Sequence, residues 1–287
     1  LKAAGVDFIK IYELVKPDVF QAMVDAATRE QLPIAAHIPL SMRADTAGPL
    51  VDSMEHLRNI EIACADNAEE LHGLRTHTLD QPGTRSGHEV RSHLHSSQRP
   101  LALETADPKS DRCQRVIQTL TNTIQVPTLR LNTITRYSPT LRNDWLIHLE
   151  RLPKGLAKDW RESADYWATR PSALGYLMSD WSLGLVAAMQ QQDVPIGAGT
   201  DTPIAQAIPG YSLHTELERL VDAGLTAQQA LFAATIRPAE FFKLSGSMGQ
   251  IRAGMEADLV LLRKNPLVDI RHSRSIEAVI SNGIRVR

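Results

Sequence analysis

The segment at residues 5–12 constrains the fold most strongly, because it has the pattern of a β-strand with a lysine in its middle. Successive side chains of a strand point to opposite faces, so Phe8, Lys10 and Tyr12 share one face and two isoleucines the other. Both faces are largely apolar, which is typical of a strand buried on both sides in a parallel α/β sheet. An unpaired buried ammonium is too costly to keep. Lys10 therefore either extends from the strand end to solvent or takes part in chemistry.

Strands and helices alternate along the following two hundred residues. Residues 19–31 predict a helix with an apolar stripe, and it lies between two extended runs. Five strands are predicted, at residues 5–12, 34–37, 53–57, 123–129 and 194–203. This order fits either an open doubly wound sheet or part of a (β/α)8 barrel.

Four polar residues stand at or near the ends of predicted strands, namely Lys10, His37, His56 and Asp201. A barrel assembles its active site at the carboxyl ends of its strands, so this placement favours the barrel. Imidazole and carboxylate groups are good ligands for zinc and similar divalent ions. An ammonium cannot bind a metal, but burial lowers the pKa of a lysine. The neutral amine of Lys10 can then add carbon dioxide and become a carbamate, an anionic oxygen ligand able to bridge two ions.

The rest of the chain suggests a division into residues 1–244, the partial barrel, and residues 245–287, a segment of a small β-sandwich with short β-prone runs. Residues 75–108 lack clear periodicity and predict an irregular insertion, whose histidines fit a solvated loop better than a metal tract. Residues 135–171 predict a long loop with short helices. The aromatic residues of that loop either form a lid or pack in the ordinary way.

Composition narrows the classes of function. With 43% hydrophobic residues and a net charge of -2, the chain has no basic block for nucleic acid and no apolar run that would span a membrane, as in a soluble protein. Two cysteines cannot form a disulfide framework; they mildly favour a reducing compartment but leave one bridge open. The chain begins with Leu1 in what we interpret as mid-fold, so its compartment cannot be read, and a homo-oligomer is left open.

The sequence resembles the metal-dependent amidohydrolase superfamily, within it the branch of imidazolonepropionase and of Xaa-Pro or Xaa-Arg dipeptidases. The resemblance rests on residues 5–12, 36–39, 53–57, 197–202, 213–217, 233–235 and 249–260. It implies an α/β fold, a (β/α)8 barrel of which strands four to eight are present here, with a β-sandwich built from both termini. Lys10 would be the strand-four lysine, often carboxylated, His37 and His56 the ligands on strands five and six, and Asp201 the ligand on strand eight.

The resemblance also implies a reaction. An amide (C–N) bond of a small molecule or dipeptide would be hydrolysed by hydroxide on one or two divalent ions, zinc being the first candidate. Asp201 would take a proton and pass it to the leaving nitrogen. Tyr12, one step nearer the rim than Lys10, would contact the substrate or simply pack. His214, which lies in one of the resembling motifs, is expected to have a structural role.

One departure from the family pattern concerns its first strand, which carries a His-x-His pair. The His-x-His of this chain, at His93 and His95, follows His56 and is out of order for that role. We therefore expect a fragment that lacks three barrel strands and is inactive or very weak. The alternative is a non-catalytic truncated relative that serves as a binding or oligomerisation module.

Overall fold

The computed structural model describes residues 1–286, which form two compact units. The first unit contains Leu1–Pro127 and Ala188–Ile196, and the second contains Thr128–Ala187 and residues 197–286. The domain boundary predicted near residue 245 stays a prediction. No helix within residues 1–286 combines the length and the apolar character that crossing a membrane would require.

The first unit is built on a parallel sheet, as the sequence predicted. Its four strands are β1 (Ile9–Ile11), β2 (Ile34–Ala36), β3 (Ser53–Glu55) and β4 (Ile124–Val126), hydrogen-bonded in that order. Ile196 adds a single parallel bridge to Gln125 beside β4. An α/β fold with strands in sequential parallel order is consistent with part of a barrel, while the numbering of its strands stays a prediction.

Helices connect these strands. They are α1 (Pro17–Glu30), α2 (Ala44–Ala47), α3 (Ile60–Cys64), α4 (Ala68–Asp80), α5 (Gly87–Leu103) and α6 (Asp111–Thr119). Helix α1 carries Pro17 in its first turn, where the missing N–H costs nothing. It buries Phe20, Val24 and Ala27, which recur at helical spacing and form its contact with the core.

The irregular insertion predicted at residues 75–108 is wrong, because α4 and α5 occupy most of it. Ser86 and Glu89 cap α5 reciprocally, each bonding the backbone N–H of the other. The buried face of α5 includes a polar residue, Gln98, whose side chain accepts a hydrogen bond from Arg75 of α4 at 2.7 Å. A helix is predicted from a regular repeat of apolar residues, and buried polar residues such as Gln98 interrupt that repeat in α5.

The second unit is mainly helical. Its helices are α7 (Leu129–Asn132), α8 (Asn143–Leu149), α9 (Lys154–Ala168), α10 (Ala173–Gln191, whose last residues belong to the first unit), α11 (Ser212–Asp222) and α12 (Ala227–Phe241). Trp145 is buried with Leu149, Ala164 and Tyr211, so this aromatic residue of the 135–171 segment packs in a core. A lid role for the segment stays a prediction.

The predicted C-terminal strands are present as an antiparallel sheet. It consists of β5 (Leu259–Leu262), β6 (Ile276–Ser281) and β7 (Ile284–Arg285), in that order. The strand predicted at residues 194–203, in contrast, is reduced to the single bridge at Ile196. Gly197 and Gly199 supply no side chains to pack against a neighbouring strand, which weakens strand pairing there.

Cys64 and Cys113 form a disulfide, the alternative that the sequence left open. Cys64 ends α3 and Cys113 lies in the first turn of α6, and both are fully buried. The bridge closes a loop across a sequence separation of 49 residues. Within the first unit it therefore ties the helix after β3 to the helix before β4.

Removal of this disulfide by Cys64→Ala with Cys113→Ala should lower the free energy of unfolding by about 4 kcal/mol, because the unfolded chain regains the freedom of a long loop. Urea unfolding of the variant and of wild type gives the difference. Wild-type protein unfolded in reductant should match the variant. Two titratable thiols in unreduced wild-type protein would contradict the prediction.

Candidate active site at the strand ends

Three of the predicted site residues lie on adjacent strands of the first unit. Lys10 is in β1, paired in register with Ala35 of β2. His37 and His56 directly follow β2 and β3. The backbone N–H of His37 donates to Ile11 at 3.0 Å, which continues the ladder beyond β2. Because the strands are parallel, the three residues share the carboxyl-terminal edge of the sheet.

The two imidazoles lie side by side. Their ring centroids are 4.6 Å apart in an edge-to-face arrangement, and the residues are 6% and 5% exposed. Burial lowers the pKa of His56 to about 3, and the positive charges of Arg58 and Lys10 act in the same direction. Burial also lowers the pKa of His37, although a hydrogen bond to Glu13 opposes the shift. Both rings are therefore neutral near pH 7, which is the form that binds metals.

Lys10 differs from the expectation of a fully buried side chain. Its side chain is 41% exposed, and Nζ lies 3.9 Å from Oε1 of Glu55. Phe8 and Tyr12, on the same face, are 38% and 49% exposed. In the described sheet β1 has a neighbour on one side only. The burial from which a carbamate was expected is thus absent from this structure, and the carbamate itself stays a prediction.

Tyr12 lies beside the histidines. The centroid of its ring is 4.6 Å from that of His37, with a tilt of 39°. The guanidinium carbon of Arg91 lies 5.5 Å from the centre of the Tyr12 ring, within the range of a cation–π contact. Tyr12 therefore borders the imidazole pair and remains exposed to an incoming molecule.

Glu13 is a central residue that the sequence analysis missed. Its fully buried carboxylate lies 3.1 Å from Nδ1 of His37, 2.7 Å from Nε of Arg91, 2.7 Å from Nε2 of His95 and 3.5 Å from Nε of Arg58. Burial alone would raise the pKa of Glu13, but the hydrogen bonds from the two histidines and the charge of Arg58 outweigh it and hold the pKa far below its usual range. Glu13 is therefore ionised.

This carboxylate sets the tautomer of His37. An ionised Glu13 can only accept a hydrogen bond, so we assign the ring proton of His37 to Nδ1. The lone pair then lies on Nε2. A carboxylate that holds the far nitrogen of an imidazole is the usual support of a histidine ligand.

His95 belongs to the same network, although the sequence placed it in a solvated loop. It lies on α5 with Nε2 on Glu13, and Nδ1 accepts a hydrogen bond from Nη2 of Arg99 at 3.1 Å. His93, two residues earlier, lies on the exposed part of the helix. The spacing of four residues between Arg91, His95 and Arg99 was the available signal, because such residues share one helix face.

A divalent ion is the cofactor that the family resemblance implies, and the imidazole pair fits it in part. His37 and His56 supply two neutral nitrogen donors at one place, and zinc accepts such donors. Within residues 1–286 no group of three or more histidine, cysteine, aspartate or glutamate residues lies close enough together to hold a metal ion. The described residues thus account for two donors of such a centre.

Asp201, the fourth predicted site residue, belongs to the second unit. It is exposed, and its φ of 50° lies in the left-handed region that few residues other than glycine adopt. Ala205 and Gln206, with φ of 48° and 56°, share that conformation. The backbone after Asp201 is therefore strained, a condition that occurs often at functional sites.

Glu216 is a second buried glutamate, and it belongs to the second unit. It lies on α11, and its carboxylate accepts the backbone N–H groups of Leu129 at 2.8 Å and Arg130 at 2.6 Å. Burial raises the pKa of Glu216 to about 7, although these two hydrogen bonds and the charge of Arg130 oppose the shift. His214, in the same helix, bonds through Nδ1 to the hydroxyl of Ser273 at 2.9 Å.

The variant Glu13→Gln should lower the free energy of unfolding by roughly 3–5 kcal/mol, because it leaves Arg91 and Arg58 without the charge that compensates them. Chemical denaturation of the variant provides the measurement. Glu30→Gln, at an exposed position of α1, is the matched control and should change stability little. Equal stability of the two variants would contradict the role given to Glu13.

The raised pKa of Glu216 predicts a pH dependence of stability. Between pH 4.5 and 7 the folded state keeps a proton that the unfolded state releases, so this group makes the free energy of unfolding fall as the pH rises. The fall amounts to about 3 kcal/mol and ends above pH 7. Urea unfolding across this range should show it in wild type and not in Glu216→Gln. Parallel curves for the two proteins would contradict the assignment.

Comparisons with known proteins found similarity in sequence over part of the chain. The model of the amidohydrolase family matches residues 177–286. Ochratoxinase from Aspergillus niger is 38% identical over 88 residues, which are 30% of this chain and 17% of that protein. The sequence of this chain thus aligns with a small part of its curated relative.

Solved structures show the same fold over more of the chain. A Xaa-Pro dipeptidase with bound methionine is 19% identical, with a TM-score of 0.57 over 100% of this chain and 56% of the other. Bottromycin amidohydrolase is 21% identical, with a TM-score of 0.68 over 99% of this chain and 56% of the other. The chain thus spans just over half the length of these structures. The family model thus matches the C-terminal part of the chain, and the solved structures share its fold over nearly its whole length.

Proposed function

We propose that this chain belongs to an enzyme that hydrolyses an amide (C–N) bond in a small molecule or dipeptide with the help of a divalent metal ion. The observation that carries the proposal is the pair of neutral imidazoles, His37 and His56, at the ends of adjacent parallel strands, with Glu13 holding one of them. The names of the neighbours, a dipeptidase, an ochratoxinase and a bottromycin amidohydrolase, support the reaction class. They do not favour the alternative of a non-catalytic module.

In this proposal His37 and His56 hold the ion, with zinc as the first candidate. Lys10, as the carbamate, and Asp201 are the further ligands that the family resemblance implies, and β1 to β4 are strands four to seven of a barrel. A bound divalent ion polarises the scissile carbonyl and lowers the pKa of a water molecule. The same ligands accept one or two ions, and a carboxylated Lys10 would be able to bridge two.

The residues of the chain have separate roles around that reaction. Glu13 keeps the ring proton of His37 on Nδ1, which fixes the orientation of the imidazole. Asp201 accepts a proton from the attacking water and gives it to the leaving nitrogen. Tyr12, half exposed beside His37, contacts the substrate at the rim.

The metal content of the complete protein tests the proposal. His37→Ala and His56→Ala should each abolish stoichiometric metal and lower kcat/KM on a panel of dipeptides and small amides by on the order of 1,000-fold, since the ion supplies several kcal/mol to the transition state. Glu13→Gln should weaken metal affinity by roughly 10–100-fold. Metal analysis by mass spectrometry and initial-rate kinetics give the values.

The exposed His93 provides the control, and His93→Ala should keep both metal and activity. Lys10→Ala tests the carbamate separately, because unchanged metal content in that variant would remove Lys10 from the ligands. Full activity of the double variant His37→Ala with His56→Ala would refute the proposed function itself.

A further inference from the structure

The loop at residues 200–206, called here the Asp201 loop, needs support from outside. Asp201, Ala205 and Gln206 all have positive φ, which is unfavourable for residues with a side chain. Such a conformation persists only where surrounding groups hold it. The groups that hold this loop are therefore candidates for residues that place the Asp201 side chain.

Arg130 of α7 donates three hydrogen bonds to the loop. Its Nη1 donates to the carbonyl oxygens of Thr200 at 3.0 Å and Ile204 at 2.8 Å, and its Nη2 donates to that of Ala205 at 2.9 Å. These carbonyls lie on both sides of Asp201 in the sequence. The planar guanidinium offers donors in a fixed geometry, so one side chain can fix the path of the loop.

Arg130 is held in turn by Glu216. The two carboxylate oxygens of Glu216 accept the backbone N–H groups of Leu129 and Arg130, one each, where α7 begins. Thr128, just before α7, has a φ of 49°, so this backbone is also unfavourable by itself. Burial lowers the pKa of Arg130, and the charges of Glu216 and Asp201 oppose that shift. The positive charge of Arg130 is thus stabilised by the carboxylates of Glu216 and Asp201.

We propose that Arg130 and Glu216 are positioning residues that set the backbone of the Asp201 loop, with Glu216 acting through Arg130. Glu216 lies in the motif at residues 213–217, for which the sequence predicted only a structural role of His214. A catalytic effect of the pair rests on the proposed function of Asp201, whereas its effect on the loop does not.

Hydrogen exchange of the loop tests the proposal without reference to activity. In the complete protein at pH 8, Arg130→Met should accelerate amide exchange in peptides covering residues 200–206 by on the order of 10–100-fold, because three hydrogen bonds are lost. Exchange in β5 and β6 should not change. If Arg130→Met fails to fold, Arg130→Lys answers the question, since an ammonium lacks the planar fork whose two nitrogens reach the three carbonyls.

The matched control is Arg237, which pairs with Glu240 on the surface of α12. Arg237→Met and Arg237→Lys should leave exchange in the Asp201 loop unchanged. Glu216→Gln keeps one acceptor oxygen of two and should accelerate exchange in the loop less than Arg130→Met does. Unchanged exchange at residues 200–206 in both Arg130 variants would overturn the proposal.

Kinetics separate this inference from the proposed function. If both hold, Arg130→Met lowers kcat by on the order of 10–100-fold, with KM and metal content within about twofold of wild type, because a misplaced proton carrier slows chemistry and leaves binding intact. Accelerated amide exchange in the loop of Arg130→Met, together with a wild-type protein that has no hydrolase activity, would refute the proposed function while supporting the positioning role. A normal kcat of Arg130→Met, with accelerated amide exchange in its loop, would refute a catalytic effect of Arg130.

Discussion

The buried carboxylate of Glu13 is the constraint on which the candidate site depends. An isolated carboxylate in the protein interior would be too costly, so its position requires the hydrogen bonds and cations that reach it. Those partners come from three places in the first unit: His37 after β2, Arg58 after β3, and Arg91 with His95 on α5. One charged group thus joins a helix to the strand ends and orients an imidazole there.

Glu216 shows the opposite electrostatic outcome in the second unit. Both glutamates are buried and both accept hydrogen bonds, yet the pKa of Glu13 lies far below its usual range and that of Glu216 is raised to about 7. The difference lies in the partners. Imidazoles and guanidinium groups surround Glu13 and lower its pKa. At Glu216, two backbone N–H groups and the charge of Arg130 offset only part of the rise in pKa that burial causes. Glu13 is suited to orient the imidazole of His37, and Glu216 to hold backbone N–H groups.

Two separate parts of the chain support the proposed function. The family match covers residues 177–286, which include Asp201 and Glu216 but not the histidine pair. His37 and His56 lie outside that match, and their burial, neutral state and proximity suit them to bind a metal ion. The structural neighbours, at 19% and 21% identity, contribute the fold.

The sequence by itself determined the parallel α/β sheet and the position of His37 and His56 at strand ends, because strand periodicity and chain order are local patterns. Tertiary structure decided the rest. Some interacting residues are distant in sequence, such as Glu13 and His95 or Cys64 and Cys113, and no local sequence pattern predicts that they pair. Helix α5 was not predicted because its buried face includes polar residues. The partners that allow their burial lie on other segments of the chain. The partial exposure of Lys10 depends on which segments flank β1, and the residues of the strand itself do not determine these neighbours.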